Sequence, residues 1–175
     1  TAFEQGINQL IQRHEILRTR FSDSAGKLMQ LIDLPLHYPL RQEDLSHLQK
    51  EKKELELRTY IENVEKINFD LECGPLFHMS LVKTGENQYV FLFNIHHIVA
   101  DGRSIEILLH DLSAIYNAIK QGEIPILPDL TVQYGDYAAW YNQLVDSERF
   151  DNQLTFWKKM FSTTPPVLNF PFDCQ

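Results

Sequence analysis

A strand that runs directly through a short link into a helix constrains the fold more than any other feature of this chain. Residues 89–93 form a short apolar run of aromatic and β-branched type, which predicts a buried strand. Residues 105–119 repeat apolar side chains at helical spacing and predict an amphipathic helix. The link 94–104 carries two imidazoles, a carboxylate and a glycine: His96, His97, Asp101 and Gly102. Catalytic side chains are often held at such strand ends, because the strand is rigid and its end is open.

Length and composition restrict the classes of protein that remain. The chain has 175 residues, 43% of them hydrophobic and 23% charged, which is typical of one globular domain or half of a larger one. The net charge of −8 argues against nucleic acid as a partner, because phosphate binding needs clustered Lys and Arg. The apolar runs are shorter than the roughly 18 residues of a membrane span, so no membrane association is predicted. Two cysteines, Cys73 and Cys174, fit a reducing cytoplasm, where we expect the protein.

The rest of the pattern predicts helices mixed with short strands. Further helices are predicted over 2–14, 48–66, 132–145 and 149–161. Strands are predicted over 17–21, 27–32, 76–82 and 88–95, the last two as a hairpin. Residues 34–44 are predicted to be a loop or an edge strand, because Pro35 and Pro39 cannot donate to a central ladder. This order indicates an α/β (α+β) two-layer sandwich.

The two adjacent histidines admit three interpretations. Successive strand side chains point to opposite faces, so only one of His96 and His97 can face a cleft. This geometry disfavours a shared metal ion, and no third ligand beyond Asp101 is organised nearby, so no metal is predicted. The plain interpretation is two structural histidines beside a helix that Asp101 caps. The third is acyl transfer, in which imidazole takes a proton from a nucleophile near pH 7.

Four separated segments together resemble motifs of the condensation domains of non-ribosomal peptide synthetases. Residues 13–21, RHEILRTRF, resemble the RHExLRTxF motif, and residues 96–102, HHIVADG, resemble the HHxxxDG active-site motif. Residues 134–140, YGDYAAW, resemble YxDYAxW, and residues 69–76, FDLECGPL, resemble FDLxxGPL. HHxxxDG alone occurs in other acyltransferases, including plant alcohol acyltransferases and wax ester synthases. The arginine-rich first segment is more specific, and it favours condensation.

The resemblance implies a fold and a place in a larger domain. It implies a chloramphenicol-acetyltransferase-like lobe in which helices flank a mixed β-sheet. Residues 1–175 resemble the N-terminal lobe of a condensation domain, without the first family motif and without the C-terminal lobe. Residues 167–173 resemble the segment where the family chain crosses between lobes. Arg103 stands where many members carry Trp, so the resemblance does not assign a substrate subtype.

The resemblance also implies a reaction and its partners. The family joins a donor acyl or peptidyl thioester to the amine of an acceptor aminoacyl thioester, forming an amide. Both substrates are carried on the 4′-phosphopantetheine arms of carrier domains, and the lobe itself binds no cofactor. The implied partners are the upstream and downstream peptidyl carrier domains, the C-terminal lobe and an adjacent adenylation domain. The isolated lobe is expected to be inactive.

The site residues are carried over from the matching motifs. The resemblance assigns the catalytic centre to four residues: His97, His96, Asp101 and Gly102. His97 would face the tunnel, and His96 would pack inward. Asp101 would make a structural salt bridge, for which Arg13 or Arg18 is the predicted partner. Gly102 would permit a tight turn and a close backbone approach.

Other classes of function stay open on the sequence alone. His96 and Asp101 also fit the HxxxxD motif of glycerolipid acyltransferases, although the acidic charge and the lack of an apolar anchor count against a membrane enzyme. An epimerisation domain of the same fold shares the HHxxxDG histidine. A non-catalytic lobe that only docks carrier domains would also carry these motifs.

Overall fold

The structure is a computed structural model that describes residues 1–24 and 26–169. It contains two compact units, Thr1–Gly135 and Asp136–Gln175. The helices are α1 (Ala2–Arg13), α2 (Lys50–Glu65), α3 (Gly102–Gln121), α4 (Tyr134–Val145) and α5 (Asp151–Met160). The strands are β1 (Thr19–Ser24), β2 (Lys27–Ile32), β3 (Arg41–Asp44), β4 (Phe77–Gly85) and β5 (Gln88–Ile95).

The first unit is organised around a mixed three-stranded sheet. Its order is β3-β4-β5, with β4 parallel to β3 and antiparallel to β5. β1 and β2 form a separate antiparallel hairpin. In the central pair Met79 lies opposite Phe93, so both side chains point to the same face. This register fixes which side chains of β5 reach the core and where the strand ends.

Helices α1 and α3 cover one face of this sheet. The strand side chains that meet them alternate along β4 and β5, as a pleated sheet requires: Phe77, Met79, Leu81, Phe91, Phe93 and Ile95. The helices contribute Ile7, Leu10, Ile11, Leu108, Leu112 and Ile115. Burying one such side chain contributes about 1.5–3 kcal/mol relative to its exposure. The packing therefore holds the end of β5 in a fixed relation to α1 and α3.

Helix α2 lies on the opposite face and adds a further layer. Strand alternation directs Asn94 to that face, and its Nδ2 donates to the carbonyl of Val64 at 2.6 Å. Val64 is buried, whereas Leu55 on the same helix is exposed. The charged residues of α2 are therefore mostly solvated, as the sequence predicts.

The predicted fold class is confirmed, because helices flank a mixed sheet. Several boundaries differ from the prediction by a few residues, and three of the differences are described here. A 3₁₀ turn at Glu15–Arg18 delays the first strand to Thr19, the fourth strand continues to Gly85, and α3 begins at Gly102. Residues 34–44 contain the edge strand β3, which follows both prolines. The predicted crossing segment 167–173 extends beyond the described residues, and Cys174 also lies outside them.

The second unit carries exposed aromatic side chains on α4 and α5. Tyr137 stacks on Tyr141 with 5.9 Å between ring centroids, and Trp157 stacks on Phe161 with 5.7 Å. Each pair is spaced by one helical turn, so the helix itself brings the rings together. In the part of the chain that the structure describes, no helix combines the length and the apolar character needed to cross a membrane.

Candidate active site

A cavity of about 460 Å³ opens in the first unit where the chain passes from β5 to α3. One wall is the link that follows β5, another is the end of α1, and a third is the segment before α4. Its lining includes His14, His97, Asp101, Ser104, Leu130 and Gln133. The cavity therefore gathers polar groups from three distant parts of the sequence within a mostly apolar surround.

His96 and His97 occupy different environments. His97 is exposed and lines the cavity. The ring of His96 packs edge-on against Phe69, with 6.3 Å between centroids, and its Nδ1 accepts the N–H of Ile98 at 3.0 Å. The His96 backbone N–H continues the β4 ladder by donating to Leu76 at 2.8 Å. The division between a cavity-facing and an inward histidine therefore agrees with the alternation of strand side chains; the catalytic roles stay predictions.

Asp101 is the N-cap of α3. Its Oδ1 accepts the backbone N–H of Ser104 at 2.8 Å and the Ser104 hydroxyl at 2.6 Å. These hydrogen bonds, first from the hydroxyl and then from the backbone, hold the pKa of the Asp101 carboxyl below its usual value. The carboxylate therefore satisfies a donor at the start of α3 and places a negative charge at the positive end of the helix.

The predicted salt bridge between Asp101 and Arg13 or Arg18 is wrong. Arg13 Nε donates to Asp111 Oδ2 at 2.9 Å, and Arg18 Nη2 donates to Glu15 Oε1 at 3.1 Å. Asp101 lies at the exposed start of α3, where the N–H and O–H groups of Ser104 and the solvent stabilise its charge without a cation. Asp111 lies on the helix face that packs on α1, and a buried carboxylate there needs a cation.

Gly102 makes no close backbone contact with other described residues, and the predicted approach of another group to its backbone stays a prediction. It is the first residue of α3, and its φ lies outside the left-handed region. A Cβ built there would have no described atom within 4 Å outside its chain neighbours and its own helical backbone. The described residues therefore impose no steric or conformational need for glycine at this position.

Asp111 is the centre of a buried polar cluster. Its side chain is 7% exposed, and its Oδ2 lies 2.9 Å from both Arg13 Nε and His14 Nε2. Oδ1 lies 3.3 Å from Nδ1 of His110. Burial raises the pKa of the Asp111 carboxyl, but the hydrogen bonds from Arg13, His14 and His110 outweigh it and lower the pKa overall. Asp111 is therefore a buried carboxylate that ties α3 to the end of α1.

The sequence patterns did not reveal this cluster. They assign no role to Asp111, and His14 is included only as one position of the RHExLRTxF motif. The available signal was a carboxylate on the apolar stripe of α3, beside Leu108, Leu112 and Ile115. A buried carboxylate needs partners, but periodicity alone does not say which residues supply them.

His14 is a neutral histidine at the cavity wall. Burial lowers its pKa most, Asp111 opposes that shift, and the charge of Arg13 adds to the lowering. Neutral His14 therefore carries its proton on Nε2 and donates it to Asp111 Oδ2. Gln133 holds the adjoining backbone, since its Nε2 donates to the Arg13 carbonyl at 3.0 Å and its Oε1 accepts from Glu15 N–H at 3.2 Å.

Asp101→Ala is expected to lower the free energy of unfolding modestly and to leave the protein soluble, because the lost interaction is a solvent-exposed helix cap. Asp101→Ser restores a capping oxygen and should retain most of the stability. Urea unfolding of the wild type and both variants measures the difference. Equal losses in the alanine and serine variants would show that capping is not the role of this side chain.

The free energy of unfolding is expected to fall as the pH drops below about 6.5, the ordinary pKa of histidine. Burial lowers the folded-state pKa of His14 and His78, and Arg41 adds to the effect at His78. The unfolded chain then binds more protons than the folded one below that pH, so stability rises with pH through this window.

Unfolding curves at intervals between about pH 5 and pH 8 test this dependence. His14→Gln and His78→Gln should each flatten the slope, because each removes one buried titrating group. The matched control is His47→Gln, a change at an exposed histidine, which should leave the slope unchanged. Identical slopes in all four proteins would contradict the assignment.

No metal centre is visible in residues 1–24 and 26–169. Within these residues, no group of three or more His, Cys, Asp and Glu side chains is arranged to hold a metal ion. The rings of His96 and His97 also lie in different environments, as described above. The polar groups that line the cavity include imidazole, carboxylate, hydroxyl and amide side chains, which can donate or accept hydrogen bonds.

Solved structures define the class of this fold. The chain matches the crystal structure of the X-domain from teicoplanin biosynthesis with a TM-score of 0.86 and 28% identity, over 99% of this chain and 38% of that one. It matches the epimerization domain from the third module of tyrocidine synthetase B with a TM-score of 0.81 and 26% identity, over 98% of this chain and 39% of that one. The helix-flanked mixed sheet is therefore shared with these domains.

The chain belongs to the condensation-domain family, whose model matches residues 1–175. It is similar to a linear gramicidin synthase of Brevibacillus parabrevis, with 41% identity over 175 residues, and this match covers 98% of this chain. The chain spans only 2% of that relative's length and well under half of the matched solved chains. The family resemblance inferred from the four motifs is confirmed.

Proposed function

We propose that this chain takes part in peptide bond formation between two carrier-bound thioesters in non-ribosomal peptide synthesis. The observation that carries the proposal is the position of His97, exposed in the cavity between β5 and α3. Membership of the condensation-domain family supports it. The acceptor amine would attack the donor thioester carbonyl there, forming a C–N bond and breaking the C–S bond, and the released thiolate takes up a proton.

His97 contributes a nitrogen base at this place. An α-amino group has a pKa of about 7.7–8.0, so a sizeable neutral fraction exists near neutral pH without any base. General-base assistance contributes typically about 10²–10⁴-fold, and alignment of two tethered substrates can contribute as much or more. His97 would accept the amine proton or orient the amine through a hydrogen bond. Asp101 supports it indirectly by capping the helix that begins beside it.

We also propose that the chain is the N-terminal lobe of a two-lobe domain. Its motifs are those of the first lobe, and it spans 38% of the X-domain chain that it matches. The C-terminal lobe would complete the cavity, and upstream and downstream carrier domains, beside an adenylation domain, would deliver 4′-phosphopantetheine-bound substrates. The chain alone should then form little or no amide.

Two alternatives have support from the matched structures. An epimerization domain shares this fold at 26% identity. The teicoplanin X-domain has also been solved in complex with OxyB, at 28% identity to this chain, which favours protein docking as a role for such lobes. Each alternative predicts an outcome different from formation of a new amide.

The test uses the complete two-lobe domain with separately loaded donor and acceptor carrier domains. Amide formation predicts a dipeptidyl thioester on the acceptor carrier, detected by mass spectrometry. Epimerisation predicts an inverted Cα centre on one carrier without a new amide, and docking predicts carrier binding with neither product. An acceptor carrier loaded with the N-acetylated amino acid is the matched control, because it lacks the nucleophile.

A further inference from the structure

The cavity that His97 lines is also lined by a second histidine, His14, from a distant part of the sequence. His14 follows α1, whereas His97 follows β5. The side chain of His14 is 11% exposed, so most of the ring is packed while part of it borders the cavity. The two imidazole rings therefore border the same cavity on different walls.

Hydrogen bonding defines the tautomer of His14. Its Nε2 lies 2.9 Å from Oδ2 of the ionised Asp111, so Nε2 carries the proton. A neutral imidazole protonated on Nε2 has an unprotonated Nδ1, which can only accept. Among the described residues no group donates a hydrogen bond to this Nδ1. The atom is also not among their solvent-inaccessible polar atoms without a partner, so it is accessible to solvent. His14 therefore keeps one accessible acceptor atom on a side chain that lines the cavity.

The surroundings of His14 limit its freedom to move. Asp111 holds the ring, and Asp111 is itself held by Arg13. The side chain of Gln133 bonds to the backbone on both sides of His14, through Arg13 and Glu15. A side chain fixed from the ring and from the backbone loses little further entropy when a ligand binds to it.

We propose that His14 Nδ1 binds the amine of the acceptor substrate by accepting one of its N–H hydrogens. The inference rests on the proposed function and deepens it. Of the reacting groups only the acceptor amine carries an N–H, because the donor thioester offers acceptors alone. His14 would thus select and orient the nucleophile, leaving His97 to act at the other side of the same nitrogen.

His14→Gln is the test variant, because the glutamine amide can still donate to Asp111 but lacks an acceptor at the Nδ1 position. In the complete two-lobe domain with loaded carriers, this variant should keep the thermal midpoint and the KM for the donor thioester. The KM for the acceptor thioester should rise roughly 10- to 100-fold, as expected for the loss of a hydrogen bond to a charged or strongly polar group.

His110→Gln is the matched control. His110 contacts the same carboxylate, at 3.3 Å from Asp111 Oδ1, but it does not line the cavity. This variant should leave both KM values unchanged. If His14→Gln behaves like His110→Gln while the wild type makes amide, the inference on His14 is overturned and the proposed function stands. If the wild type makes no amide, both fall.

A spectroscopic readout on the wild type does not depend on the folding of any variant. The ¹⁵N resonance of His14 Nδ1 should shift upfield when acceptor-loaded carrier is added, because accepting a hydrogen bond moves an unprotonated ring nitrogen toward the more shielded protonated form. Donor-loaded carrier should leave it in place, and so should an acceptor carrier loaded with the desamino acyl group, which has no α-nitrogen and hence no N–H there. Absence of a shift at saturating acceptor, or the same shift with the desamino control, would overturn the inference.

Discussion

His97→Ala is expected to reduce the rate of amide formation by about 10²–10⁴-fold, the usual contribution of a positioned acid–base group. His97 is exposed and follows the end of β5, so its removal should leave the sheet and the core intact. The measurement is single-turnover formation of the dipeptidyl thioester by the complete two-lobe domain, with both carriers loaded in advance. Single-turnover conditions separate the chemical step from product release.

The matched control is His47→Ala, which removes an exposed imidazole outside the cavity. Its rate should equal that of the wild type. Carrier binding by His97→Ala, measured by titration, should be retained, since the imidazole is not expected to contribute to the docking surface. Wild-type turnover in the His97 variant would refute the assignment and leave alignment of the tethered substrates as the main source of rate.

Asp111→Ala is expected to lower the free energy of unfolding by about 3–5 kcal/mol, because it leaves the Arg13 guanidinium and the His14 N–H without their buried partner. Native proteins have total stabilities of about 5–15 kcal/mol, so the variant should lose a large fraction of its stability. Urea unfolding followed by circular dichroism measures the change. A loss below about 1 kcal/mol would show that Asp111 does not hold α3 to α1 in solution.

A control on the same helix separates burial from charge. Glu106 forms an exposed ion pair with Arg103, one helical turn apart. Exposed pairs contribute about 0–1 kcal/mol, so Glu106→Ala should have little effect. A double variant, Asp111→Leu with Arg13→Met, replaces the charges by apolar groups and should recover part of the lost stability, because it leaves no unpaired ion behind.

The local structure followed from the sequence because short-range rules govern it. Apolar spacing located α1 and α2 to within a few residues, and the aromatic run located β5. The alternation of strand side chains was enough to separate the environments of His96 and His97. The four motifs together led to the condensation-domain family, which the comparison confirms.

Long-range pairing did not follow from the same rules. Helical periodicity identifies the apolar face of α3, but it does not say that α1 packs on that face with Arg13 and His14 opposite Asp111. Asp101 of the HHxxxDG motif was predicted from the resemblance to pair with Arg13 or Arg18. That pairing was wrong, because the N–H and hydroxyl of Ser104 already donate to the Asp101 carboxylate.

The sequence by itself determined the order of the elements, the two environments of the histidine pair and the family. Only the tertiary structure decided which charges are buried together and which side chains share the cavity. The physical reason is that secondary structure and capping depend on neighbours within a few residues. The pairing of Arg13 and His14 with Asp111 depends instead on how two helices pack over one sheet. The desolvation cost of these groups and the attraction between their charges arise only once that packing has formed.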